Sequence, residues 1–223
     1  MRPRSPLPSG AAQLATLLFC DMSGSTAMGE QVDAESVREM MFSYFHQMRG
    51  AIERHGGTVE KFVGDAVIAV FGVPVAHEDD ALRACRAAWE MHERLADLYE
   101  ELLRRFGTTI ALRIGLNTGE VVAGDASSRE TMVTGDALNV AARLEQAAPP
   151  GEILLGELTH RLVRDAVTAE PVPPLKLKGK SEPLPAYRLP GVADRRLAAA
   201  RRVLAVRTTA EAVVLVADEL ASR

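Results

Sequence analysis

The sequence is poor in cysteine, in aromatic residues and in long apolar runs, and each shortage excludes a class of protein. Its two cysteines, Cys20 and Cys85, make neither a disulfide framework nor a zinc motif, so we expect a reducing, cytoplasmic setting. Aromatic residues amount to 4%, which predicts an aliphatic core. No apolar run reaches the roughly 20 residues that span a bilayer, and the basic N-terminus lacks the apolar centre of a signal peptide. We therefore expect no membrane partner.

Charge is also nearly balanced, which bounds the partners further. The 26 basic and 30 acidic residues give a formal net charge of -4, which argues against a general nucleic-acid role. With 223 residues, of which 47% are hydrophobic, the chain can form one large domain and an appendage. We predict a flexible N-terminal segment over 1–12, a catalytic domain over 13–190 and a helical C-terminal extension of unknown role over 191–223.

Hydrophobic periodicity predicts the order of helices and strands. The predicted elements are a strand at 13–20, a helix at 34–54, a hairpin at 58–63 and 66–71, a helix at 78–105, a strand, a turn and a second strand within 109–123, a helix from Asp136 to the residues before Pro149, a strand at 152–155, a helix at 157–165, and strands near 172–178 and 185–189. The first six elements fit an α+β fold of the ferredoxin-like βαββαβ type, an antiparallel sheet with helices on one face.

Two aspartates carry most of the chemical information. Asp21 and Asp65 each lie where an apolar strand gives way to a turn that contains glycine. A single aspartate in such a place is more often a turn former than a ligand. Two carboxylates at neighbouring strand ends are, however, suited to hard divalent cations such as Mg²⁺, which bring phosphates with them. A pair of this kind predicts a two-metal site for displacement at phosphorus.

Basic and amide side chains supply the other half of a phosphate site. Asn139 and Arg143 are four residues apart on a predicted helix, so they share one face, offset from the apolar stripe. An arginine there is either solvated or stabilises charge on a phosphate. Lys61 precedes Asp65 by four residues, and Lys178 and Lys180 flank a glycine. Spacing alone does not separate their role as ligand donors from that of ordinary surface lysines.

Taken together, these segments are similar to the class III nucleotidyl cyclases over about residues 13–189. The resemblance rests on five motifs in the family's order, namely FCDMSGST at 19–26, KFVGD at 61–65, RIGLNTG at 113–119, GDALNVAAR at 135–143 and LKGK at 177–180. Each motif alone is weak, but the ordered set is specific.

The resemblance implies an enzyme that converts ATP to 3′,5′-cyclic AMP and pyrophosphate. In the family pattern, Asp21 and Asp65 hold two Mg²⁺ or Mn²⁺ ions, with help from the backbone carbonyl of Met22. Asn139 orients the ribose, and Arg143 stabilises charge at the α-phosphate. Lys178 or Lys180 contacts the terminal phosphates, with Lys178 preferred.

The family's sites lie between two subunits, and this chain carries both halves. The metal aspartates come from one subunit, whereas Lys61, Asn139 and Arg143 come from the other, so the resemblance implies a homodimer with two equivalent sites. Base choice in the family depends on two positions, Lys61 and Met132. Lys61 favours adenine, but the thioether of Met132 cannot make a good hydrogen bond to the adenine amino group. Relaxed selectivity that admits GTP is therefore an alternative.

Other functions compete with an adenylyl cyclase. One is a catalytically weak or inactive cyclase-like regulatory module, which Met132 favours and the intact set of Asp21, Asp65, Asn139 and Arg143 disfavours. A guanylyl cyclase is disfavoured by Lys61. A diguanylate cyclase is disfavoured because the hairpin lacks the Gly-Gly-Asp/Glu-Glu-Phe sequence of that family.

Overall fold

The fold is a mixed α+β domain built on one sheet. The computed structural model describes residues 12–25, 29, 32–106, 110–123, 133–176 and 183–192. In this part of the chain the strands are β1 (Ala12–Ser23), β2 (Thr58–Val63), β3 (Ala66–Phe71), β4 (Ala111–Ala123), β5 (Val133–Thr134), β6 (Ile153–Gly156), β7 (Val167–Leu175) and β8 (Leu184–Val192). The helices there are α1 (Ala34–Arg54), α2 (Asp80–Phe106), α3 (Asp136–Ala147) and α4 (Glu157–Val163). Of the flexible segment predicted over 1–12, only Ala12 is described, and it begins β1. Of the helical extension predicted over 191–223, only residues 191–192 are described, and they end β8. The rest of both segments lies outside the described residues.

The strand order confirms the ferredoxin-like core. The sheet runs β2-β3-β1-β4-β6-β8-β7, and β5 pairs with β4. Each neighbouring pair among the first four strands in this order is antiparallel, whereas β4 and β6 are parallel. Helices α1 and α2, which belong to the βαββαβ unit, pack with α4 on one face of the sheet, against even-numbered residues of β1 such as Leu18 and Cys20. Helix α3 packs on the opposite face, beside Leu17.

Local signals in the sequence account for the bounds of α1. The side chain of Asp33 caps the helix by accepting a hydrogen bond from the Ser36 amide at 2.9 Å. At the other end, Gly56 has a φ of 79°, a left-handed conformation that glycine adopts without strain. The helix observed at Ala34–Arg54 therefore agrees with the prediction at both ends.

The prediction of two strands within 109–123 was wrong, because β4 is a single strand over Ala111–Ala123. It pairs with β1 without interruption, from Ala12 opposite Val122 to Ser23 opposite Ala111. The glycines that suggested a turn serve close packing instead. A Cβ on Gly115 would lie 2.3 Å from the carbonyl oxygen of Ala141 in α3, and a Cβ on Gly119 would lie 2.7 Å from the Ala137 Cβ.

This packing predicts a large effect of adding one methyl group at Gly115. In Gly115→Ala the new Cβ meets helix backbone, which cannot move aside as a flexible side chain would, so we expect about 1–3 kcal/mol loss in the free energy of unfolding. Urea denaturation measures it. Gly29→Ala is the matched control, since a Cβ there meets nothing within 4 Å. Equal stability of the two variants would contradict the close approach of α3.

A half-buried histidine on α2 predicts a pH dependence of stability. Burial lowers the pKa of His92 to about 4, from an ordinary value of 6.5. The unfolded chain therefore binds more protons than the folded chain between these two values, and stability falls as the pH falls through this window. His92→Gln should remove up to about 3 kcal/mol of that fall. Urea titrations from pH 4 to 7 check it against His46→Gln, which alters an exposed histidine; identical pH profiles of the two variants would contradict it.

Candidate active site

Asp21 lies in β1, two residues before its last residue Ser23, and pairs with Arg113 of β4; the strand therefore runs beyond the predicted end at 20. The Asp21 side chain is 22% exposed, and one carboxylate oxygen accepts a hydrogen bond from the Arg113 guanidinium. Odd-numbered residues of β1 face α3, as Ala15 and Leu17 do, so Asp21 opens on that side of the sheet. Met22 lies next to it with its side chain buried.

Asp65 lies in the tight turn between β2 and β3, next to Asp21 in space. Cys20 pairs with Val67, so the residue after Cys20 on β1 reaches the level of this turn. The negative charges of Asp21 and Asp65 both act on the same neighbouring groups, among them Tyr44 and Glu145. The strand register therefore places the two predicted aspartates at the same end of neighbouring strands.

Tyr44 fixes the turn that carries Asp65. Its hydroxyl, fully buried under α1, donates a hydrogen bond to the backbone carbonyl of Asp65 at 3.1 Å. The Cys20 sulfur lies 3.8 Å from the same hydroxyl. Burial raises the pKa of both the Tyr44 phenol and the Cys20 thiol, so both stay neutral. Cys20 is thus a buried structural thiol.

Glu145 of α3 completes a charged cluster around Asp21. One of its oxygens lies 3.2 Å from the Arg113 nitrogen Nη2 that also contacts Asp21. Burial raises the pKa of Glu145 to about 7; the positive charge of Arg113 opposes this rise, and the charges of Asp21 and Asp65 add to it. Arg113 in turn has a raised pKa, chiefly because of its hydrogen bond to Asp21.

Sequence reasoning missed the roles of Arg113, Glu145 and Tyr44 in this arrangement. Arg113 was part of a quoted motif, and its charge between the apolar residues Leu112 and Ile114 was the available signal. That signal did not name a partner, because the partner depends on the register of β1 against β4 and on how α3 lies over both strands.

The predicted substrate residues fall into two groups. Lys61, Asn139 and Arg143 are exposed, and Arg143 donates a hydrogen bond to Gln146 at 3.0 Å. Among the contacts of the described residues, no hydrogen bond or ion pair joins these three side chains to Asp21 or Asp65.

The remaining predicted positions, Met132, Lys178 and Lys180, lie outside the described residues. Next to Met132, the amide of Val133 donates a hydrogen bond to the Glu60 carboxylate at 3.2 Å, which ties β5 to the residue before Lys61. This contact joins β5 to β2.

The donor set fits a divalent cation that shares its ligands with a nucleotide. In the described ranges, no group of three or more His, Cys, Asp and Glu side chains is placed to hold a metal ion. Two carboxylates leave most positions of a six-coordinate cation to phosphate oxygens, water and backbone carbonyl groups, which is the usual pattern for Mg²⁺. The guanidinium of Arg113 on Asp21 shows that this carboxylate already accepts a cationic partner.

Comparison with known proteins identifies the family to which this fold and site belong. The family model of the adenylate and guanylate cyclase catalytic domain matches residues 7–190. The chain therefore belongs to the class III adenylyl and guanylyl cyclase catalytic domains, which confirms the resemblance seen in the motifs and the expected fold.

Relatives and solved structures agree with this assignment. The chain is 32% identical to adenylate cyclase 1 of Rhizobium meliloti over 186 residues, which is 81% of this chain and 28% of that protein. It is 32% identical to an adenylate cyclase of Anabaena cylindrica over 190 residues, which is 78% of this chain and 36% of that protein. The chain thus spans about a third of the length of these relatives.

Two solved structures, one named an adenylyl cyclase and the other a guanylyl cyclase, share this fold. The adenylyl cyclase CyaB from P. aeruginosa superposes with a TM-score of 0.77 at 29% identity, over 84% of this chain and 97% of that one. The guanylyl cyclase Cya2 also gives 0.77, at 30% identity, over 84% and 96%. The shared fold therefore does not distinguish ATP from GTP.

None of the helices in the described part of the chain has both the length and the apolar composition needed to cross a bilayer.

Proposed function

We propose that this chain is an adenylate cyclase, which converts ATP to 3′,5′-cyclic AMP and pyrophosphate as a homodimer. The observation that carries the proposal is the meeting of Asp21 and Asp65 at one end of the sheet in a member of the cyclase family. So few protein ligands suit a site whose remaining coordination positions are filled by the triphosphate itself.

The reaction is an in-line displacement at the α-phosphorus. The 3′-hydroxyl loses its proton, its oxygen bonds to the α-phosphorus, and the bond from that phosphorus to the oxygen bridging to the β-phosphate breaks, which releases pyrophosphate. Asp21, Asp65 and the Met22 carbonyl would hold two Mg²⁺ or Mn²⁺ ions. These ions, when bound, lower the pKa of the 3′-hydroxyl and neutralise charge on the phosphates. Asn139 orients the ribose and Arg143 donates hydrogen bonds to the α-phosphate.

The exposure of the second group of residues supports a site shared between two subunits. Asn139 and Arg143 lie on the outer face of α3, whereas Glu145 on the inner face of the same helix points toward Asp21. A partner subunit related by two-fold symmetry would bring its own Asn139 and Arg143 to these carboxylates, and would receive the same in return. Such a dimer contains two equivalent sites.

Base selection depends on Lys61 and Met132 in this proposal. Lys61 is exposed and free to reach a purine, and it favours adenine. Met132 offers no hydrogen bond that would reject guanine, and a site that lacks one polar base contact loses discrimination. The alternative is therefore a cyclase that also accepts GTP. In either case, Lys178 would contact the terminal phosphates.

We place the reaction in the cytoplasm, where nucleoside triphosphates are made and used. The two cysteines are free buried thiols, which is the state that a reducing compartment maintains. The catalytic domain over 13–190 is the unit that performs the reaction.

The test is product analysis by chromatography after incubation of the purified chain with Mn²⁺ and either ATP or GTP. Cyclic AMP as the main product, absent in Asp65→Ala, supports the proposal. Comparable amounts of cyclic AMP and cyclic GMP would show relaxed base choice at Met132. A folded dimer that forms no cyclic product from either nucleotide would contradict an adenylate cyclase and favour a regulatory module.

A further inference from the structure

Arg113 contacts two carboxylates through the same nitrogen, and only one of them belongs to the proposed metal site. Its Nη2 donates to Asp21 and lies 3.2 Å from Glu145. The hydrogen bond goes to Asp21. In the described part of the chain, the Glu145 Oε1 atom and the Arg113 Nε atom are buried without a hydrogen-bond partner. Glu145 thus has unused capacity to accept from Arg113.

The position of Glu145 is set by backbone packing, not by a flexible surface helix. Gly115 lets α3 approach β4 so closely that a Cβ there would lie 2.4 Å from the Glu145 amide nitrogen. The Glu145 side chain is 9% exposed and Arg113 is 28% exposed. This close backbone packing of α3 on β4 places the Glu145 side chain within reach of Arg113.

A divalent cation and a guanidinium cannot occupy the same carboxylate oxygen. Arg113 contacts the Oδ2 atom of Asp21, so a cation that binds Asp21 through this oxygen, alone or together with Oδ1, displaces the guanidinium. A partly buried guanidinium beside a new double positive charge is costly unless another carboxylate pairs with it. Glu145 is the carboxylate in place to do so. Among the described residues, the charged groups that act on Glu145 are Arg113, Asp21 and Asp65.

We propose that Glu145 is a positioning residue that takes Arg113 over from Asp21 when a divalent cation binds, and so sets the affinity of Asp21 for that cation. The inference rests on the proposed function, because it takes Asp21 as a metal ligand. Arg113 then neutralises the charge of Asp21 when no divalent cation is bound. Metal affinity depends on how well Glu145 competes with Asp21 for the guanidinium.

The experiment measures free Mn²⁺ by electron paramagnetic resonance during titration of the full chain without nucleotide. Binding must first be lost in Asp21→Asn, which assigns the signal to this site. Glu145→Gln removes the second partner of Arg113, so we expect about tenfold weaker Mn²⁺ binding, and Arg113→Met removes the competing cation, so we expect about tenfold tighter binding. Glu90→Gln is the matched control, since it removes a carboxylate that pairs with Arg54 and Arg94 between α1 and α2, and it should bind as the wild type does.

The double variant distinguishes a positioning role from a direct one. If Glu145 acts through Arg113, adding Glu145→Gln to Arg113→Met changes Mn²⁺ binding by less than about twofold. A full tenfold loss in that background, or wild-type binding by Glu145→Gln alone, would overturn the proposal. Glu145→Asp, which keeps the charge on a shorter side chain, should restore part of the affinity, and it serves in place of the glutamine variant if that variant does not fold.

Failure of this inference is separable from failure of the proposed function. Wild-type chain that forms cyclic AMP, with additive effects of the two substitutions on Mn²⁺ binding, would leave the cyclase standing and refute the role of Glu145. A non-additive cycle in a chain that forms no cyclic nucleotide would support the role of Glu145 and refute the cyclase. If both Asp21→Asn and Glu145→Gln bind Mn²⁺ as the wild type does, the role of Glu145 and the proposed metal site of the cyclase are both refuted.

Discussion

Replacement of Asp21 or Asp65 by alanine is expected to lower cyclic nucleotide formation by at least about a thousandfold while leaving the chain folded. Each carboxylate is a proposed ligand of the divalent cations. Activity should fall at saturating ATP, because the lost interaction is one with the charge that develops during transfer.

The structure explains why stability should survive both substitutions. Tyr44 holds the turn through the backbone carbonyl of Asp65, which truncation of the side chain leaves in place. Arg113 retains Glu145 when Asp21 is removed. Thermal unfolding therefore checks the fold beside the turnover assay. Asp165→Ala, which alters a side chain that is 95% exposed, is the control for loss of an aspartate. Retention of more than about a tenth of wild-type activity in Asp21→Ala would refute its assignment as a metal ligand.

Mixing two inactive variants is expected to restore activity when their substitutions lie in different halves of the shared site. In a dimer of an Asp21→Ala chain with an Arg143→Ala chain, one site carries both defects and the other carries none. About half of randomly formed dimers are mixed, and each has one intact site of two, so equimolar mixing should give about a quarter of wild-type activity. Chromatographic measurement of cyclic AMP before and after mixing checks this.

The matched control mixes two variants with defects in the same half. Asp21→Ala with Asp65→Ala leaves every site of every dimer defective, so no activity should return. The same holds for Asn139→Ala with Arg143→Ala. If heterodimers form but the first mixture stays inactive, or if the control mixture regains activity, the division of the site between two subunits is wrong.

Much of the architecture was predictable because it depends on local signals. The Asp33 cap and the glycine after α1 set the bounds of that helix, and alternation around Gly64 set the β2–β3 hairpin. The five ordered motifs were enough to predict the family, and the family match confirmed it. The exposed face of α3 with Asn139 and Arg143 followed from helical spacing alone, since residues four apart share a face.

The error in β4 shows where local reasoning fails. Glycines such as Gly115 and Gly119 are typical of turns, but here their small size lets α3 pack closely on β4. The sequence of β4 does not show that α3 lies across it. Glycine in a strand permits both interpretations. Only the uninterrupted pairing of β4 with β1 decides between them.

The sequence by itself determined the class of enzyme, the order of the core elements and the two aspartates at neighbouring strand ends, because these depend on residue type and spacing. The tertiary structure alone decided that Asp21 and Glu145 share Arg113, and that Tyr44 holds the Asp65 turn. Those contacts join residues up to 92 positions apart. They depend on strand register and on the approach of a helix to a glycine. Both are set by packing between distant parts of the chain, so the local sequence does not determine them.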